Sequence, residues 1–225
     1  MTNLKDYRDR ELPLFIIANV LVFLIVHKFI NIDISDVPGT TKVFSEIFSS
    51  AVLAVAAFGF ILVTECLFTS LFKEKLLYLF GFFGLLNLPG NTIFSQIKEK
   101  NPDKRFSFQT IKDKYPKLYE NMPENGGTRL RYENERWYSI YSQCRDVSVI
   151  HNSQRDWLLC RDIYISALLM IVMYVIISIL HFVEFNKMYL VFLVVTLIIT
   201  NIGANRKAVR FAYNVIAYDL NKPPK

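Results

Sequence analysis

The chain has little of what metal centres and redox sites are built from. Its 225 residues include three cysteines and three histidines. Cys66, Cys144 and Cys160 make no C-x-x-C pair and have no histidine at ligand spacing, which argues against a disulfide framework or a zinc site. There is no Walker motif, no nucleophile elbow and no low-complexity tract. Paired acids inside the apolar blocks, which a pump would need, are missing too. The second half is no inverted copy of the first, which argues against a repeat-built transporter. These absences point to a protein that is not an enzyme and needs no cofactor or metal.

What is present is apolar surface in blocks. Apolar residues make up 52 % of the chain and charged residues 20 %, and the mean hydropathy is +0.27. These values fit together because the apolar residues cluster and the charges lie between the clusters. Phe at 19 and Tyr at 12 suit packed helices and membrane interfaces. The net charge of +6 suits a surface facing anionic lipid or nucleic acid.

Four blocks approach the roughly 20 residues that cross a bilayer core as helix. They are 13–30, 48–72, 163–183 and 188–204, with Pro13 well placed at a helix start. No A-x-A site follows the first block, so it is expected to be a retained span. Lys and Arg alternate in the flanks. Lys5, Arg8 and Arg10 precede the first block, Lys42 alone follows it, and 15 basic residues lie in Lys73–Asp162. Lys187 alone separates the last two blocks, and Arg206, Lys207, Arg210, Lys222 and Lys225 follow them. The positive-inside rule then puts both termini and the middle segment in the cytoplasm. The expected fold is an all-α membrane protein, with four transmembrane helices and a helical cytoplasmic insert between helices 2 and 3. Residues 1–75 would form a transmembrane hairpin, 76–162 the basic insert with an interfacial helix at 76–88, and 163–225 a second pair with a helical tail.

The insert holds the first candidate site. Lys98, Lys100, Lys104, Arg105, Lys112, Lys114 and Lys117 recur within twenty residues, followed by Arg129, Arg131 and Arg136. Phe106, Phe108, Tyr115, Tyr119, Tyr132, Trp137 and Tyr138 are interleaved with them. Basic and aromatic residues together are what a single-stranded nucleic acid site uses, for phosphate charge and base stacking. The blander reading is a solvated domain with its aromatics in a small core. Against the 15 basic residues of Lys73–Asp162 stand 11 acidic ones, a local excess of four.

A second set lies in the apolar blocks. Thr196, Thr200, Gly203 and Lys207 fall within about 60° of one another on a helix, a stripe that either lets helices approach or lines a wet path. Glu65 is an ionisable group inside the second block, whose burial needs water or a partner. Beyond the fourth block, Ala208, Phe211, Ala212, Val215 and Ile216 make an apolar face. Copies packed along that face would favour a symmetric oligomer.

Two resemblances follow from short stretches. Arg145-Asp146-Val147-Ser148-Val149-Ile150-His151 resembles the Arg-to-His motif of HEPN ribonucleases. It implies, as the alternative function, a membrane-tethered ribonuclease in which Arg145 and His151 act on a scissile phosphate. Positions six apart on a regular helix diverge by about 120°, so the pair needs a kink. The stretches LPGNTIFSQI (88–97), WYSIYSQCRD (137–146) and SQRDWLLCRD (153–162), with the overall layout, resemble small polytopic membrane effectors of bacterial anti-phage defence, such as the HalA channels of Hailong-type systems. That resemblance implies a homo-oligomeric ion channel in the bacterial inner membrane. It also implies a nucleotide or single-stranded DNA ligand, made by a partner nucleotidyltransferase, that controls the pore. No residue role carries over from it.

Overall fold

The computed structural model describes residues 4, 6–27, 59–61, 63–64, 66–79, 89–100, 103–124 and 126–222. Among them every regular element is helical, as long apolar runs and 3–4 spacing dictate. The α-helices are α1 (Glu11–Val26), α2 (Ser70–Leu79), α3 (Ile93–Lys100), α4 (Phe108–Lys114), α5 (Pro116–Glu120), α6 (Gly126–Cys144), α7 (Ser148–Ile179) and α8 (Lys187–Leu220). The described residues between 59 and 67 are helical as well.

Two of these helices, α7 and α8, are long and apolar enough to cross a membrane. The first covers the expected third span, 163–183, as far as Ile179, where the helix ends, and the second contains the whole of 188–204. Both extend into polar sequence at their other ends. Over the first expected span, 13–30, the helix is α1, which has 16 residues from Glu11 to Val26, about 24 Å at 1.5 Å per residue. Residues 28–30 lie outside the described residues. Most of the second, 48–72, lies outside the described residues, and the helix around 59–67 breaks before α2 begins. Thr69 makes the new start: its Oγ1 accepts from the Phe72 N–H at 3.3 Å and its carbonyl from the Lys73 N–H at 3.0 Å. Of the interfacial helix expected at 76–88, residues 80–88 lie outside the described residues. Residues 76–79 are the end of α2.

The chain divides into two units, Met1–Leu77 with Leu159–Asn201, and Tyr78–Leu158 with Ile202–Lys225. In the first, Leu12, Ile16, Val20 and Leu24 repeat every four residues and form one buried stripe of α1. They share a core with Ile61, with Met170 and Tyr174 of α7, and with Tyr189 and Leu193 of α8. Leu14, Ile17, Leu21 and Ile25 of the same helix stay exposed.

One end of this unit is held by charge. Asp162 is fully buried and takes the Tyr7 hydroxyl at 2.8 Å, Arg8 Nη2 at 3.0 Å and Lys73 Nζ at 3.3 Å. Its own neighbour Arg161 adds Nε at 3.1 Å and Nη2 at 3.0 Å, while Arg161 Nη1 lies 3.8 Å from Glu74 Oε1. Lys73 and Arg161 are themselves buried. Close by in sequence, the Tyr164 hydroxyl donates to the Leu76 carbonyl at 3.2 Å and Asn201 Nδ2 to the Leu77 carbonyl at 3.2 Å.

The other end is held by rings and a turn. Phe23 and His27 close α1 against Tyr174 and Tyr189, with ring centroids 4.5 to 6.4 Å apart. Between α7 and α8, His181 takes a left-handed φ of 58° and ends α7. Asn186 then starts α8, its Oδ1 accepting the N–H groups of Met188 at 2.9 Å and Tyr189 at 3.2 Å. The Tyr174 hydroxyl accepts from the Asn186 N–H at 2.6 Å and donates to the Asn186 carbonyl at 3.1 Å.

In the second unit the last part of α8 is the central rod, and every residue from Phe211 to Ala217 is buried. Trp137 of α6 donates Nε1–H to the Ala212 carbonyl at 3.2 Å, and Trp137, Tyr141 and Trp157 surround Phe211. The face with Ala208, Phe211, Ala212, Val215 and Ile216 is therefore covered inside the chain and is not open to a second copy. Glu133, fully buried, accepts from the N–H groups of Phe94 at 2.9 Å and Ser95 at 3.0 Å and from the Ser95 hydroxyl, capping α3. Beside it Gly90 lies so close to Trp137 that a Cβ would sit 2.9 Å from Trp137 Cε3 and 3.0 Å from Asn134 Oδ1.

Two substitutions test these anchors, read by thermal unfolding in detergent. Asp162→Asn leaves buried cations without their carboxylate and should cost about 3–5 kcal/mol; a loss below about 1 kcal/mol would mean that the node is dispensable. Gly90→Ala forces Trp137 to shift and should cost about 1–3 kcal/mol, with a changed tryptophan emission spectrum. An unchanged melting point would show that the ring yields freely.

Candidate functional site

The basic residues of the insert separate into two groups once placed. One group is spent on the fold. Arg105 forks onto Asp103, with Nε 3.0 Å from both carboxylate oxygens and Nη2 2.6 Å from Oδ2. Its Nη1 donates to Asn214 Oδ1 at 2.8 Å, and Asn214 Nδ2 donates to Ser153 Oγ at 3.0 Å. The guanidinium holds the Asp103 carboxyl below the usual carboxylate range, chiefly through those side-chain hydrogen bonds. Lys114 pairs with the Asp219 carboxylate at 2.9 Å and also bonds the Asp219 carbonyl. The neighbouring Tyr115 hydroxyl donates to the same carboxylate. Burial first, and that bond second, raise the phenol above its ordinary value. Arg131 pairs with Glu135 at 2.9 Å on the exposed side of α6, and Arg136 lies 5.1 Å from the centre of the Tyr132 ring. Arg129 is half-buried in the first turns of α6.

The other group is open. Lys98 and Lys100 on the last turn of α3, Lys104 in the turn that follows, Lys112 on α4 and Lys117 on α5 are all exposed. Among the described residues none of the five makes an ion pair. They share one short region, since Arg105 and Lys114 tie this part of the chain to Asn214 and Asp219, about one and a half helical turns apart on α8.

The interleaved aromatics do not accompany these lysines outward. Phe106 is buried and stacks on Tyr213 with centroids 6.1 Å apart. Phe108 meets Tyr119 edge-on at 5.0 Å, the Tyr119 hydroxyl donates to the Phe94 carbonyl at 3.3 Å, and the Tyr132 hydroxyl to the Leu118 carbonyl at 3.1 Å. Trp137 is in the core. Tyr138, 58 % exposed, is the member of the set left open.

In the stripe on α8, the Thr196 hydroxyl donates to the Phe192 carbonyl at 2.9 Å and the Thr200 hydroxyl to the Thr196 carbonyl at 2.9 Å. Both hydroxyls are thus satisfied by their own helix. A Cβ on Gly203 would meet nothing within 4 Å. Lys207 pairs with Asp156 at 2.6 Å. Glu65 lies outside the described residues.

Arg145 and Asp146 occupy the break between α6 and α7, exposed and 3.8 Å apart, and His151 is half-buried on the first turn of α7. No hydrogen bond or ion pair joins Arg145 to His151. Cys144, just before the break, is buried, and burial pushes its thiol up to about 11, which suits a packing role.

The three stretches quoted from the sequence have structural work in common. Gly90, Phe94 and Ser95 from the first meet Glu133 and Trp137. Trp137 and Tyr141 from the second, with Trp157 from the third, pack around Phe211. Arg161 and Asp162 end the third and form the buried charge node. Compared with family models, with curated proteins and with solved structures, the chain has no match.

The division of the basic residues is checkable by substitution. Arg105→Ala should lower stability by about 1–2 kcal/mol, because the Asp103 carboxylate and the Asn214 amide lose a charged partner that is half exposed. Lys104→Ala should leave the melting temperature within a degree of wild type. Equal effects of the two would remove the distinction.

Proposed function

We propose that this chain is a non-enzymatic, homo-oligomeric membrane channel whose lysine-bearing helical unit binds an anionic cytoplasmic ligand, and that it serves as an effector in bacterial anti-phage defence. In this reading residues 13–30, 48–72, 163–183 and 188–204 span the inner membrane, with both termini and the long middle segment in the cytoplasm. Pore formation requires several copies, and ligand binding shifts the balance between closed and open states through its different affinity for each.

The observation that carries this reading is where exposed apolar side chains fall. Apart from Tyr138 and Val149, the exposed large apolar side chains among the described residues all belong to the first unit, along α1, residues 60–72, α7 after residue 171, the turn at 180–185 and α8 before residue 200. An apolar exterior of that extent suits lipid, while the second unit offers water its charges. The meeting of Tyr7, Arg8, Lys73, Arg161 and Asp162 supports the orientation. It gathers the chain just before the first block, just after the second and just before the third. On the other side His27, late in the first block, meets Tyr189 at the start of the fourth and Tyr174 of the third. Both meetings support the alternation read from the Lys and Arg counts.

Ion flux through liposomes holding the purified full chain, with and without single-stranded DNA, tests the proposal. Flux that changes at least about tenfold on adding the oligonucleotide, and loses that response in the Lys98→Glu, Lys100→Glu, Lys104→Glu, Lys112→Glu variant while the size-exclusion profile is kept, is the expected result. No flux under any condition would sink the channel reading. A wild-type response in the quadruple variant would sink the assignment of the lysines.

A further inference from the structure

Resting on the proposed anionic-ligand reading, we infer that the ligand site of the second unit is a phosphate-backbone site that ignores bases. It would take a single-stranded polyphosphodiester through Lys98, Lys100, Lys104, Lys112 and Lys117.

Two kinds of recognition are open to a protein that grips single strands, and they need different side chains. Base stacking needs several rings with free faces at successive positions along a groove. Backbone recognition needs cations, which exchange with the counterions condensed on the strand. The second unit has spent its rings. Phe106 is stacked on Tyr213, Phe108 and Tyr119 meet edge-on, Tyr115 is bonded to Asp219, Tyr132 to Leu118, and Trp137 to Ala212. Tyr138 alone of that set stays open, and one ring on α6 cannot follow successive bases.

The cations are divided the opposite way. Arginine is the residue suited to flat, bidentate recognition of base edges and to stacking on bases. The Arg105 guanidinium is closed down by Asp103 and Asn214, Arg131 is paired with Glu135, and Arg136 lies over Tyr132. What remains open between residues 98 and 117 is lysine alone, a compact point charge on a flexible stem. Lysine can satisfy a phosphate and carries no base preference. Of the nearby acids, Asp103 is committed to Arg105, and Asp113 accepts from the neutral Gln109 Nε2 at 2.6 Å and keeps its charge. Glu99 and Asp113 remain as exposed negative charges among the five lysines.

The test is fluorescence anisotropy of the full chain in detergent with two labelled probes of about 20 nucleotides, oligothymidine and an abasic strand of the same length. Equal affinity within about threefold is expected. For both probes the logarithm of affinity should fall against the logarithm of salt with a slope of roughly −3 to −4, at about 0.7 per phosphate neutralised on a single strand. Tyr138→Ala should change neither binding curve by more than about twofold. The quadruple lysine variant, checked for native helix content by circular dichroism, should lose at least about tenfold for both probes. Oligothymidine binding ten or more times tighter than the abasic strand, or collapsing with Tyr138→Ala, would overturn the base-blind site and leave the anionic-ligand reading standing. Binding of neither probe would overturn the polyphosphodiester site, and the same absence with a mononucleotide probe would overturn the anionic-ligand reading too.

Discussion

A carboxylate with no access to water is the constraint on which the first unit depends. Asp162 can be ionised inside an apolar helix assembly only if cations reach it, and it draws them from three places in the chain. Arg8 comes from the segment before α1, Lys73 from α2, and Arg161 from the preceding position on α7. Lys73 and Arg161, buried themselves, are in turn matched by the same acid. An apolar interface would let helices slide, since leucine meets leucine as well at one height as at another. A hydrogen-bonded charge node fixes height and rotation together, so the apolar stripe of α1 meets α7 and α8 in one register.

The second unit uses the same device more cheaply. Glu133 is also fully buried, but its charge is met by backbone N–H groups and the Ser95 hydroxyl at a helix start instead of by cations. The helix end supplies partial positive charge where the chain already has unpaired donors. The short helices α3 to α5 could not stand alone at five to eight residues. They are held by the cap, by hydroxyls bonded to carbonyls and by the rod of α8.

How much of this was legible depends on the kind of signal. Helix positions follow from apolar runs and from 3–4 spacing, which is why the block at 188–204 reappears inside α8 and the block at 163–183 in α7 up to Ile179, four residues short of its expected end. The break at Arg145–Val147 falls where the Arg145 to His151 spacing needed one. The node at Asp162 was hidden, because an Arg-Asp pair before an apolar run reads as an ordinary flanking charge until Tyr7, Arg8 and Lys73 are seen to converge on it. Glu133 was hidden likewise: on the wheel of α6 it is one more acid among arginines. The basic-aromatic alternation from Lys98 to Tyr138 misled in one specific way. Alternation along the sequence does not say that both kinds face one side, and here the rings turn inward while the lysines stay out. Glu65 and most of 48–72 lie outside the described residues.

The reach of the bond between Tyr7 and Asp162 has a consequence for the order of events during synthesis. It joins residues 155 apart in sequence, whereas the contact of Tyr174 with Asn186 joins residues 12 apart. The α7–α8 turn can therefore close as soon as its own residues have left the ribosome. The bonds of Tyr7 and Arg8 to Asp162, by contrast, wait on a residue 155 and 154 positions further along. They form only once the chain has grown past Asp162, so nascent α1 must wait while those residues are added without the carboxylate that later fixes its position.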